Sequence, residues 1–291
     1  MIATLNSVSP GSSARFLRNN KARIAGRFPA LFVCWLAFFL IGEILCAENS
    51  PTERNGAADS FAARAEKIFR SAQAKFKAEP KSPEAAVHFG RACFDWADFA
   101  ENNDHRERIA LEGIVACRSV IALQPKSAAG HYYLAMNLGQ LARTKTLGAL
   151  RLVDEMETEF QTARNLDEKF DYAGPDRNLG LLYAEAPGWP TSIGNRSKAR
   201  HHLQRAVLLE PDYPENRLNL LEAYLKWGEK TGVQREFTAT SELFPKAKKE
   251  FAGAKWELSW PDWEKRWKKV QVKFAEFSKT PGSPRAEKDR K

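Results

Sequence analysis

Three stretches of this chain repeat one another at a fixed distance. Gly113, Cys117, Val120 and Leu123 are followed 43 residues later by Met156, Phe160, Ala163 and Leu166, and 43 later again by Ala199, Leu203, Ala206 and Leu209. The internal steps of 4, 3 and 3 place each set on one face of a helix. A second series precedes each of these: Phe89-Gly90 with Cys93, Leu134-Ala135 with Leu138, Leu179-Gly180 with Tyr183, and finally Leu220-Leu221 with Tyr224. Its intervals of 45, 45 and 41 residues mean that loops vary while helices keep register. Two alternating helical series at such a period describe stacked hairpins, each of which buries its apolar face only against its neighbours. Runs of alternating β-branched residues and Asn-Gly or Asp-Gly turns are missing. The expected fold class is therefore all-α, a solenoid of helical hairpins. A Gly or Ala in each pair marks the point where two helices approach most closely.

The flanks of the repeat extend the same reading. Phe61, Ala65, Ile68, Phe69, Ala72 and Phe76 predict an N-terminal helix that stops before Pro80. Ser82-Pro83-Glu84 then supplies a cap, a first-position proline and an early acid. Val87, Gly90, Phe94 and Ala97 form the apolar face of that second helix, flanked by Phe89 and Cys93, and Asn102-Asn103-Asp104 breaks it. If the next helix folds back about residue 102, Cys117 lies opposite position 87, ~9 Å along the axis from Cys93. That separation is too large for a disulfide, so both cysteines read as small buried hydrophobes.

The net charge of +9 on 291 residues invites a nucleic-acid reading until it is divided along the chain. Residues 1–47 carry a balance of +4 and residues 245–291 one of +7, which leaves the body near neutral. A nucleic-acid reader carries its basic stripe on the folded module, so that class is set aside. The N-terminal charge has another explanation. Five basic residues ending at Arg27 precede the uncharged run FPALFVCWLAFFLIG, Phe28–Gly42, and a polar change follows Ala47. This is the pattern of an export signal cut after Ala47. Two alternatives are a retained anchor over Phe28–Ala47 and a lipidated Cys46, the latter preceded by the bulky Leu45. All three place residues 48–278 outside the cytoplasm, in the periplasm or cell envelope.

Chemistry-bearing patterns are few. The histidines, His88, His105, His131, His201 and His202, make no HExxH or HxH pattern, and the cysteines make no CxxC. Phosphate loops and nucleophile elbows are absent from the sequence. Asp95, Asp98 and Glu101 near one helix end read as solvated charge. No catalytic residue, metal or cofactor is expected, and the chain reads as a non-enzymatic binding protein.

Leu179-Gly180-x-x-Tyr183, then Ala199-x-x-x-Leu203-x-x-Ala206, then Pro211, resembles the tetratricopeptide repeat. The gap from Gly180 to Ala199 is longer than that consensus, which gives a right-handed solenoid of elongated TPR-like hairpins. Within the gap lies Ala186-Pro187-Gly188-Trp189-Pro190-Thr191-Ser192-Ile193-Gly194, a non-helical path with an aromatic residue at its tip. With Asp171-Tyr172-Ala173-Gly174-Pro175 upstream, this resembles the TRAP transporter T-component family over roughly residues 82–245. The resemblance implies an exported TPR-like accessory protein of a tripartite solute-uptake system. It further implies a periplasmic substrate-binding protein as partner, self-association, and an apolar small ligand in a central passage. Carried over by position, the ligand-contacting places of TPR-like first helices fall on Tyr132, Met136 and Gln140, on Arg177, and on Glu222 and Lys226. Trp189 joins them as an aromatic anchor, unless the prolines fold its ring back on the hairpin. A general envelope scaffold with no transport role is the alternative function.

The C-terminal segment opens with Trp260-Pro261-Asp262. Trp260, Trp263, Trp267, Val270, Phe274 and Phe277 step by 3 and 4 into one stripe, opposite Lys265, Arg266, Lys268, Lys269 and Lys273. Such a helix caps the open end of a solenoid by burying its stripe on the last hairpin. The same amphipathic pattern also suits an anionic membrane surface. Residues 279–291 read as a polar, disordered tail.

Overall fold

The computed structural model describes residues 51–145, 148–257 and 259–279, so the expected leader lies outside the described residues, as does the expected tail apart from Lys279, which is helical. Ten helices occupy them: α1 Pro51–Ala78, α2 Pro83–Ala97, α3 Asn103–Leu123, α4 Ala128–Ala142, α5 Ala149–Leu166, α6 Phe170–Glu185, α7 Arg196–Leu209, α8 Pro214–Trp227, α9 Lys230–Glu250 and α10 Ser259–Lys279. Among the described residues there is no strand, only an isolated bridge between Gly188 and Gly194.

Local chemistry sets the helix starts. The Ser82 hydroxyl accepts from the Ala85 amide at 3.2 Å, Ser127 from Gly130 at 3.1 Å, and Asn195 from Lys198 at 2.9 Å. Asn102, read from sequence as a breaker, also starts α3 by accepting from the His105 amide at 2.8 Å. Each such cap contributes ~1 kcal/mol.

The even-numbered helices α2, α4, α6, α8 and α10 touch in succession and form one row. Each odd-numbered helix from α3 to α7 packs between the two inner helices that flank it in sequence, and α9 packs on α8. This is the expected two-layer solenoid. The 43-residue register is buried at its first three positions in all three hairpins, from Gly113 through Ala206. Its fourth position is not buried in the same way: Leu123 and Leu166 are exposed and Leu209 is half-buried.

Small residues are the contact points. A Cβ at Gly180 would stand 2.6 Å from Cγ of Leu203, closer than real carbons come. Gly90 likewise makes room for the Cys117 sulfur. Cys93 and Cys117 are both free and buried, and burial pushes both thiols up, Cys117 to about 12.

The two ends behave differently. On α1, Phe69 and Phe76 pack on Phe89 with ring centroids 5.6 and 5.5 Å apart. Ile68, expected on that face, is 48% exposed. The contact stripe is Ala65, Phe69, Ala72 and Phe76, and it is narrow because α2 is the principal neighbour of α1. On α10 the stripe is covered by protein: Trp263 and Val270 are buried, and Trp267 lies 5.2 Å from both Phe237 and Phe244 of α9. Arg266, expected on the outer basic face, instead turns inward to Glu222 of α8.

Candidate binding surface

The positions carried over from the repeat pattern lie on the inner row, but they differ in what they can still do. Tyr132 and Arg177 are buried together. The Tyr132 hydroxyl donates to the Asp171 carboxylate at 2.8 Å and accepts from Asn178 Nδ2 at 3.0 Å. Gln140 is buried between α4 and α2, donating to Asp98 at 2.9 Å. Met136 is half-buried in the main core. Glu222 accepts from Arg266 at 3.1 and 2.7 Å, and Lys226 donates to Glu185 at 2.7 Å. Trp189 stands apart at 90% exposure.

Arg177 organises the start of α6. Asp171, Tyr172 and Ala173 all adopt left-handed backbone angles, with φ of 50°, 57° and 58°. Three consecutive non-glycine residues in that region are costly, at ~1–2 kcal/mol each. Two of their carbonyls find side-chain donors: Arg177 Nη1 reaches Asp171 O and Tyr172 O, each at 3.1 Å, and Asn216 Nδ2 reaches Tyr172 O at 3.0 Å. Arg177 Nη2 closes on the Asp171 carboxylate at 2.8 Å. Burial opposes its charge, but Glu215, Tyr132, Asp171 and Tyr213 outweigh that and hold its pKa well above the usual value. Burial, with Asp171 beside it, raises the Tyr132 phenol.

Around this network lie charged residues that the repeat pattern did not select. Asp98, read as solvated charge, accepts from Arg143 at 2.7 Å as well as from Gln140. Asp95 faces Arg91 at 3.6 Å. Solvent reaches 48% of the Asp95 side chain. Burial pushes its pKa up to about 6; Asp98 and Asp171 add to the rise and Arg91 opposes it. Asp171 acts on Asp95, Glu215 on Arg177, and Glu215 with Asp262 on Arg266, so charges from α2, α6, α8 and α10 share one face. On that face the arginines Arg177 and Arg266 are largely buried, whereas Asp95, Asp98, Asp171, Glu215 and Asp262 keep more of their side chains in solvent. Arg91, 54% exposed, stands among them, and on the outward surface the carboxylates outnumber it. A hint was legible in the i,i+4 pair Arg91–Asp95; the clustering with Asp171 depends on the stacking.

The insert is held at its base. Gly194 N donates to Pro187 O at 2.8 Å, Thr191 N to Gly188 O at 3.1 Å, and Asn195 N to Tyr183 O at 2.9 Å. Trp96, Trp227, Trp256, Trp260, Trp263 and Trp267 are buried or half-buried, and Trp189 is the exposed tryptophan among the described residues. Leaving such a ring in water forgoes about 4–6 kcal/mol of apolar burial. Among the described residues no group of three or more His, Cys, Asp or Glu is arranged to hold a metal ion.

Of the solved structures similar to this chain, one is that of TTC0263, a thermophilic TPR protein in Thermus thermophilus. It matches with a TM-score of 0.55 at 20% identity, over 75% of this chain and 96% of that one. The fold is that of a TPR protein. No family model matches the sequence, and no curated protein does. The T-component resemblance therefore rests on the quoted residues alone, while the TPR-like solenoid stands on the structure.

Proposed function

We propose that this TPR-like chain is a non-enzymatic interaction scaffold that docks a protein partner through Trp189. The carrying observation is that ring, bare at the tip of a loop whose base is fixed by backbone hydrogen bonds. Exposed, preorganised tryptophans are the residue type that dominates binding energy at interfaces. The carboxylate-rich inner face supports a second contact, with a basic segment of the same partner. The leader pattern supports placement in the periplasm or cell envelope. There the T-component resemblance favours an accessory role in TRAP-type solute uptake, with a substrate-binding protein as partner. Self-association and an apolar small ligand are further implications of that resemblance. A general envelope scaffold is the second reading, and it needs only the TPR-like fold and Trp189.

The test is recovery of partners from envelope extracts by the purified protein and by Trp189→Ala, with mass-spectrometric identification. The transport reading predicts a substrate-binding protein that the variant loses. Loss of a different envelope protein favours the general scaffold. Equal recovery by both proteins removes Trp189 as the docking residue.

A further inference from the structure

The two ends of the helical row are tied together. Arg64 of α1 donates to Oε2 of Glu257 at 2.5 Å and to the carbonyl of Ala254 at 3.1 Å, a link that spans most of the described chain. Arg64 belongs to the helix that packs on α2, the first member of the inner row. Ala254 and Glu257 lie in the linker that leads into α10, its last member. That linker is itself anchored over the starts of α6 and α8. Trp256 packs 5.4 Å from Tyr172 and 5.9 Å from Tyr213, those two tyrosines stack at 4.5 Å, and the Lys255 ammonium lies 3.3 Å from the Tyr172 hydroxyl. For Arg64 to reach it, the N-terminal part of α1 must pass across the inner row beyond α2.

We propose that α1 is a strap, latched by Arg64 on the α9–α10 linker, that bridges the inner face and must release before a bulky segment enters it; this rests on the inner-face contact proposed above. The two sides of the latch differ in how firmly they are held. The linker is packed among aromatic rings, whereas α1 is held beyond Ala65 by a narrow stripe, with Ile68 left in water. Solvent reaches both latch side chains, 38% of Arg64 and 58% of Glu257. An exposed pair of this kind shifts an open–closed equilibrium by only a few-fold, and salt weakens it. Release is therefore within reach of a modest binding energy, and it occurs on the α1 side.

The test measures the strap without any partner, so its failure and that of the docking reading are separable. Spin labels are placed at Lys67→Cys and Ala252→Cys in the full chain, with Cys34 and Cys46 replaced by serine; Cys93 and Cys117 are buried. Pulsed electron–electron distances then report the gap. The expected result is one short, narrow distribution for the parent. Arg64→Glu places like charges together and should reduce that short population several-fold. The exchanged pair Arg64→Glu with Glu257→Arg should restore it, which a merely destabilised α1 would not. Superimposable distributions for the parent and Arg64→Glu, absence of a short population in the parent, or failure of the exchange to restore it would each overturn the proposal.

Discussion

Two neighbouring parts of the third hairpin break the usual partition of residues in opposite directions. At the start of α6, a full positive charge on Arg177 is buried. Beyond the other end of that helix, the insert leaves Trp189 in water. The arginine has acceptors on every side: two backbone carbonyls, Asn216, Tyr132 and Asp171. The tryptophan ring stands free of the aromatic packing that encloses Trp263 and Trp267. A rule-breaking residue whose contacts are complete serves the fold. One whose contacts are missing is available to something outside it. That difference is why the docking proposal rests on Trp189 and the solvent-reaching carboxylates of the inner row rather than on Tyr132 and Arg177.

The contrast can be broken at several points. Arg177→Met should cost the most, about 3–5 kcal/mol in urea unfolding, because the Asp171 carboxylate and two left-handed carbonyls would lose a donor. If the cost were under ~1 kcal/mol, the network would not be what holds the turn. Gly180→Ala comes next, at about 1–3 kcal/mol, since its methyl meets the fully buried Leu203. A thermal melt of that variant reads the close approach directly. Trp189→Ala should leave stability within about 0.5 kcal/mol while weakening partner binding by at least ~2 kcal/mol. A large stability loss there would show the ring to be part of the fold.

The smallest effect is electrostatic. Asp95 titrates at about 6 in the folded chain, above the ordinary carboxylate value of ~3.9. The folded state thus holds its proton more tightly than the unfolded state does, and its contribution to stability falls as pH rises through the window between those values. Carboxyl carbon shifts in NMR should show a midpoint of about 6, and Asp171→Asn should move it down. An unmoved midpoint would separate Asp95 from the inner-row cluster.

The fold was readable because hairpin packing is nearly local. Gly90 and Gly180 meet partners one helix away, so the 43-residue register carries the contact pattern in the sequence itself. Cys93 and Cys117 are free, as the fold-back about residue 102 led one to expect, although Cys117 meets Gly90 rather than position 87. What the sequence hid depends on contacts between hairpins. Arg177 looked like a groove residue because nothing nearby in sequence announces that Asp171–Ala173 turn left-handed and present carbonyls to it. Arg266 sits among four lysines, and only Glu222, 44 residues upstream, draws it inward. Ile68 fits a helical stripe as well as Phe69 does, but one neighbouring helix covers only part of that stripe. The sequence left open whether Trp189 points outward or folds back on the hairpin, and the coordinates leave its ring 90% exposed.

Oxidative footprinting of tryptophans, alone and with the partner recovered from envelope extracts, probes the docking claim most directly. The account predicts rapid oxidation of Trp189 in the free protein, strong protection of it in the complex, and slow oxidation of Trp263 in both. Slow oxidation of Trp189 in the free protein, or an unchanged rate once the partner is bound, would contradict it.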